Sequence, residues 1–361
     1  MTPARTVISL LTAAAAAATL TACAQAGAGM QASTVTHPRK AVAAVPVTHP
    51  ATQPAPPTTP AQAGAQLNVL VNSPCFGAAS NTFATQCARS VLTRGAYPPP
   101  SVAAATPNAA CNSRVIDDGL YTCWFGAQRH PTRTIALVGD SHAAMWRATL
   151  APIARAEGWR GVSIVHPGCP FSAITRDEGG PLRNAACGSW RVQIIPWLRQ
   201  HPEISLMFVG ALSDSPFLGQ TPASNFDAAV AGYRQIWSQV PHTVKHIVVM
   251  RDTPRFGIHS FSCIRGAIAV GQAPGDACSL ERNVSLKRDP EAVAAMQLNT
   301  PRIQIIDVDN QMCDRHECRP VIGGALVLKD VTHMTRTFAR TLAPAVKTRL
   351  DQLVALWDRP A

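Results

Sequence analysis

Apolar residues gather in five short runs: TIALVG at 134–139, GVSIV at 161–165, ISLMFVG at 204–210, HIVVM at 246–250 and RIQIIDV at 302–308. Each is rich in β-branched residues and apolar at successive rather than alternate positions. That is the pattern of a strand covered on both faces. Between the runs, apolar residues recur three and four apart at 142–157, 188–200, 225–239 and 290–297, which predicts amphipathic helices. A last stretch, 334–357, sets Phe338, Leu342, Val346, Leu350, Leu353 and Leu356 at helical spacing. Strand–helix alternation with right-handed crossovers predicts an α/β three-layer sandwich around a doubly wound, mostly parallel five-stranded sheet of flavodoxin-like form. Functional groups in such sheets gather beyond the carboxyl ends of the strands.

The texture ahead of Thr132 is different. Residues 1–22 carry one positive charge, Arg5, and then an alanine-rich apolar stretch, the layout of a signal peptide. Leu20, Thr21, Ala22 and Cys23 resemble a bacterial lipobox, which makes Cys23 the expected lipidation site. Residues 23–66, rich in Ala, Pro, Thr and Gln, lack the large apolar side chains needed to offset ordering entropy, so a disordered tether is expected there. Residues 67–131 hold two cysteine pairs and Pro-rich turns, and are expected to form a disulfide-stapled prefix to a catalytic domain at 132–361. A hydrophobic fraction of 47% over 361 residues suffices for one large domain with appendages.

Eleven cysteines is an odd number for an exported chain. Setting Cys23 aside leaves ten in close sequential pairs: Cys75/Cys87, Cys111/Cys123, Cys169/Cys187, Cys263/Cys278 and Cys313/Cys318. Short loops make sequential bridging the least costly connectivity, though spacing alone leaves others open. No Cys-x-x-Cys pair or histidine cluster at ligand spacing favours a metal. Disulfides place the protein in an oxidising, extracytoplasmic compartment. The formal charge is +11, and the first acidic residue is Asp117. The positive residues are scattered without interleaved aromatics, which argues against nucleic acid. A basic surface outside the cell suits anionic envelope polymers or lipid head groups, and solubility alone explains it equally well.

The first apolar run ends in Gly139, Asp140, Ser141 and His142. Glycine permits a sharp strand-to-helix turn, and a serine opening the helix meets its positive end and free N–H groups. A serine needs an adjacent base to become a nucleophile. LKDVTHMT supplies Asp330 and His333, spaced so that one short loop can carry a base and its orienting acid. His142 and Trp146 are expected to pack or cap, Arg251 and Asp252 to form a structural ion pair, and Asp307 and Asp309 to shape a turn.

VGDSHAAMW resembles the first block of the SGNH (GDSL-like) hydrolase superfamily, and DVTHMT its last. More closely, the chain resembles the SGNH domain fused to actinobacterial acyltransferase-3 membrane proteins. The resemblance rests on Gly139–His142, Gly168–Pro170, Gly232–Arg234, Val248–Arg255, Cys313/Cys318 and Ile322–Thr335, with PCFGAAS at 74–80 similar to the linker before that domain. It implies Ser141 as nucleophile, His333 as base, Asp330 as orienting acid, and the N–H groups of Ser141 and Gly168 as oxyanion-hole candidates. The wider superfamily has a Gly-x-Asn block after its third strand. Here VGALSDS (209–215) lacks the asparagine, with Ser213 a weak substitute. Where the fused relatives carry a membrane domain, this chain is expected to carry a signal, a lipidation site and a tether.

The expected function is extracytoplasmic, membrane-anchored O-acyl transfer, O-acetyl included, to an envelope glycan or glycolipid through an acyl-enzyme. No cofactor is expected. The expected partners are that substrate, the membrane through a lipid anchor, and a separate membrane acyl-donor protein. An esterase of the same substrates is the alternative. A non-catalytic glycan-binding lipoprotein of the same fold is the competing class.

Overall fold

The structure is a computed structural model that describes residues 73–357 apart from 83, 88–90, 108–112 and 118. The signal, Cys23, the whole of the tether and Cys111 lie outside the described residues. The chain divides into two units, 1–56 and 57–361, of which only the second contains described residues.

A seven-stranded sheet forms the middle layer. Its strands are β1 (Ser113–Asp117), β2 (Leu120–Gly126), β3 (Arg133–Gly139), β4 (Trp159–Val165), β5 (Ile204–Gly210), β6 (His246–Met250) and β7 (Ile303–Ile306), in the order β1-β2-β4-β3-β5-β6-β7. The last five are parallel and are the five that the apolar runs predict. The two extra strands come from the prefix: β1 and β2 form an antiparallel hairpin that pairs β2 with β4, Thr122 opposite Ile164. Their signal is weak because β1, SRVID, lies at the sheet edge, where Val115 and Ile116 stay exposed and no continuous apolar run is required.

Alternate residues of each central strand face opposite layers. Ile135, Leu137, Leu206, Phe208, Val248 and Met250 pack with helices α1 (Ser141–Ala156), α6 (Arg336–Thr341) and α7 (Ala343–Trp357). Ala136, Val138, Met207, Val209, Ile247 and Val249 pack with α2 (Pro181–Gln200), α3 (Pro222–Trp237) and α5 (Pro290–Leu298). Trp146 is fully buried in the first layer, as expected, and Trp197 and Trp237 in the second. Among the described helices of eight or more residues, α4 (Ser260–Ala269) escaped the sequence pattern. The helix expected over 334–357 is split, because Pro344 has no N–H to continue the α6 ladder and instead sits in the first turn of α7. The prefix is strapped to this end of the fold: the Ala78 N–H donates to Thr341 Oγ1 (3.0 Å) and the Tyr97 N–H to the Gly324 carbonyl (2.8 Å).

The register brings Gly139, Val165 and Gly210 side by side at the carboxyl edge. Gly139 has φ +146°, and any side chain there would strike the Gly210 carbonyl oxygen and Ala143. Below this edge, buried carboxylates knot the loops together. Asp140, fully buried, caps α1 by accepting the His142 N–H (2.7 Å) and also accepts the Leu212 N–H (3.0 Å). Asp289 caps α5 through the Glu291 and Ala292 N–H groups (2.8 and 3.2 Å) and accepts the Asp252 N–H (2.9 Å). Removing Asp140 costs the cap, about 1 kcal/mol, and strands a Leu212 N–H at about 1–3 kcal/mol more.

Four bridges join Cys75–Cys87, Cys169–Cys187, Cys263–Cys278 and Cys313–Cys318. Cys123 is also disulfide-bonded, and its expected partner Cys111 lies outside the described residues. Intact-mass analysis of the mature protein with and without reduction should show a gain of about ten protons, two for each of five bridges. A gain of about eight, with Cys111 and Cys123 alkylated before reduction, contradicts the fifth pair.

The same carboxylates set a pH dependence. Burial, then the nearby Asp252 charge, push the Asp289 carboxyl up to about 6 against the three N–H groups it accepts. A carboxyl raised in the folded state binds its proton more tightly there than in the unfolded chain, where its pKa is about 3.9. Its contribution to stability is therefore complete below that value and is lost as pH rises through about 6. Asp289→Asn keeps a capping oxygen but cannot ionise. The fall in urea midpoint between about pH 5 and about pH 7 should be smaller in this variant than in the wild type. An equal fall in both proteins refutes the assignment.

Candidate active site

Ser141 is the first residue of α1, so its N–H has no acceptor inside the helix and points with the positive helix end beyond the sheet edge. The loop carrying the other two residues is built by backbone pairing. The Lys329 N–H donates to the His333 carbonyl (2.7 Å) and the Thr335 N–H to the Val327 carbonyl (2.7 Å), pinching residues 329–333 into a tight turn. Met334 is buried beneath it with its N–H on Met145 Sδ (3.4 Å), and Thr335 caps α6 through the Phe338 N–H (3.0 Å).

This places His333 Nε2 2.8 Å from Ser141 Oγ. On the other side of the ring, Nδ1 lies 2.9 Å from both Asp330 oxygens. Asp330 Oδ1 also accepts the N–H groups of Thr332 (3.0 Å) and His333 (2.9 Å). Partial burial raises the Asp330 pKa, but the His333 ring and these two N–H groups more than offset that, so the carboxyl is held well below the usual range. It stays ionised, which fixes the proton of neutral His333 on Nδ1 and leaves Nε2 free to accept one from the serine. Residues 192 positions apart are thus joined in one hydrogen-bonded chain.

Gly168 sits in the turn that follows β4, at the same edge, where the His166 N–H donates to the Gly139 carbonyl (3.1 Å). Its φ is +79°, and a Cβ there would collide with the Glu178 carboxylate, which pairs with Arg176 at 3.0 Å. The Cys169–Cys187 bridge staples the turn to α2. The segment after β5, where the superfamily keeps its asparagine, is turned inward. The Leu212 N–H goes to Asp140, and the Ser213 N–H to Asp252 Oδ2 (2.8 Å). Ser213 is buried and does not replace the missing donor.

The expected Arg251–Asp252 pair does not form, because consecutive residues leaving a strand point opposite ways. Arg251 instead reaches Asp307 (2.6 Å) and Asp309 (3.0 Å), two acids that the sequence placed only in a turn. Asp252 turns inward to His142, its Oδ1 2.6 Å from Nδ1. His142 was expected to pack or cap; it is buried, but the cap is Asp140. Sequence reasoning missed the His142–Asp252 contact, and the available hint was an acid at the carboxyl end of a central strand. Among the described residues no group of three or more His, Cys, Asp or Glu could hold a metal ion. No helix among them is long and apolar enough to cross a membrane. A cavity of about 660 Å³ lies between the prefix and the last helices, lined by Phe76, Tyr97, Val102, Arg336 and Arg340 among others, and no triad residue lines it.

No curated protein matches the chain. Among solved structures, the periplasmic domain of a lipopolysaccharide acetyltransferase from Salmonella ser. Paratyphi A is similar. It shares 13% identity at a TM-score of 0.47, over 61% of this chain and 84% of that one. The family model described as "SGNH domain (fused to AT3 domains)" matches residues 107–348, which takes in β1 to β7 and the whole Ser141–His333–Asp330 set. The chain belongs to that family.

Proposed function

We propose that the protein is an extracytoplasmic serine-dependent O-acyl enzyme, an O-acyltransferase acting on a cell-envelope glycan or glycolipid. The observation that carries this reading is the 2.8 Å contact between Ser141 Oγ and His333 Nε2, with Asp330 behind the ring. Ser141 Oγ attacks the carbonyl carbon of an acyl donor while its proton passes to His333 Nε2. The tetrahedral oxyanion is met by the N–H groups of Ser141 and Gly168 and by the α1 helix end. As the intermediate collapses, His333 gives the proton to the departing oxygen and leaves the acyl group on Ser141. A sugar hydroxyl then gives its proton to His333 and attacks the ester carbonyl. The acyl group moves to the sugar, and Ser141 recovers its proton.

The envelope setting rests on the signal-like 1–22, on Cys23 and on the bridges. A lipid at Cys23, with the Ala-, Pro- and Thr-rich 24–66 as its link to the domain, would hold the domain near the membrane at raised effective concentration. That arrangement favours transfer from a separate membrane acyl-donor protein over free hydrolysis. The competing reading, a non-catalytic glycan-binding module, draws on the inward-turned segment after β5, which leaves one oxyanion donor fewer than the wider superfamily has.

Ser141→Ala should lower turnover of p-nitrophenyl acetate by at least about a thousandfold and abolish labelling by a fluorophosphonate probe. Folded wild-type protein that never takes the label would favour a glycan-binding module instead. Transfer and hydrolysis separate in the cell. Deleting the protein should lower ester-linked acyl groups on purified envelope glycans, and a rise would identify a deacylating esterase.

A further inference from the structure

A second histidine–carboxylate pair lies directly behind the triad. His142 Nδ1 and Asp252 Oδ1 are 2.6 Å apart, with side-chain exposures of 2% and 3%. The His142 ring lies against the His333 ring, centroids 4.8 Å apart and planes inclined by 45°. Its Nε2 is buried without a hydrogen-bond partner among the described residues. The other oxygen of Asp252 accepts the Ser213 N–H, and its Oδ1 also accepts the Thr253 N–H at 2.8 Å. One carboxylate therefore fixes both the ring that backs the base and the segment beside the nucleophile.

The charges around this pair come from every neighbouring element. Asp140 lies at the end of β3, Arg255 in the loop after β6, and Asp330 with His333 in the last loop. Asp289 and Glu291 at the start of α5, and Tyr233 on α3, lie behind Asp252. Burial alone pulls the His142 pKa down, but Asp252 and then Asp140 more than offset it, so the ring holds its proton above the usual imidazole range. Burial would raise Asp252, yet His142 and Ser213 hold it below the usual carboxyl range. The two shifts agree on an ion pair with no net charge, its imidazole ring packed against that of His333.

We propose that His142, clamped by Asp252, is a positioning residue that fixes the plane of the His333 ring and keeps a compensated charge behind it. Without the clamp, the imidazole can swing away from Ser141 Oγ. Without the cation, the remaining carboxylate holds a proton on His333 and removes it as a base. This inference rests on the triad reading above.

His142→Asn keeps a donor for Asp252 but removes the ring and its charge. It should lower kcat for p-nitrophenyl acetate by about 10- to 100-fold with KM within about twofold, the size of effect that misplacing a catalytic group produces. The acid limb of kcat/KM should move up by about half a pH unit to one unit, because the uncompensated Asp252 favours the protonated base. Asp252→Asn should lower kcat comparably and leave that limb in place, since the buried ring then gives up its proton along with its partner. A kcat and pH profile like the wild type in His142→Asn, with only a lower melting temperature, would reduce the pair to packing and overturn the proposal. Nitrogen NMR of the unaltered protein tests it without any substitution. His142 should be doubly protonated at neutral pH, and a neutral ring overturns the inference. Fluorophosphonate labelling of the wild type runs in parallel. Labelling at Ser141 with no effect of His142→Asn refutes this inference alone, whereas absence of labelling refutes the triad and this inference together.

Discussion

The Asp140 carboxylate is the constraint on which the site depends. It sits where β3 becomes α1, with one oxygen on the His142 N–H and the other on the Leu212 N–H. The first bond starts the helix that presents Ser141, and the second pulls the chain leaving β5 onto that helix end. Its full burial makes both bonds hard to replace with water. Asp252 repeats the arrangement two strands further along, joining His142 to Ser213, and Asp289 joins Asp252 to the start of α5. The parallel strands supply the alignment, and three buried acids convert it into fixed positions for short loops.

This arrangement accounts for the difference between the segment after β5 and the superfamily pattern. In VGALSDS the two N–H groups that follow Ala211 are both consumed by carboxylates, so that segment serves the scaffold and not the substrate. Gly168 stands apart, since the demands on it are conformational. A positive φ and the Glu178 carboxylate leave no room for a side chain, while Arg176 holds the Gly168 carbonyl at 3.2 Å and so turns the peptide.

The five central strands, the helices between them and the Ser141, Asp330 and His333 set were legible because each leaves a local signature. A doubly covered strand is continuously apolar, a packed helix repeats at three and four, and Asp330 and His333 are close enough in sequence to share a turn. The hairpin β1–β2 was not legible, because one strand at a sheet edge carries no apolar run. Pro344 was visible as a residue, but its break in the last helix was hidden by the continuous apolar spacing from Phe338 to Leu356. The His142–Asp252 pair could not be read either. The two residues are 110 positions apart, and only the β3-β5-β6 order brings their strand ends together. Arg251 shows the same limit from the other side, for its neighbour in sequence was the wrong partner and its true acids follow β7.

The bridges and the triad differ in range, and this orders events as the chain is made. Each described disulfide closes over 5 to 18 positions, so each can form as soon as a short piece of chain has emerged on the oxidising side. None has to wait for a distant partner. The contact between Ser141 and His333 spans 192 positions and needs the segment just before α6, near the carboxyl end. A chain threaded amino end first therefore has its covalent staples in place while Ser141 is still without its His333 partner. The Ser141–His333 contact arrives last, with the docking of the final two helices, and a chain cut short before them keeps its staples but lacks that contact.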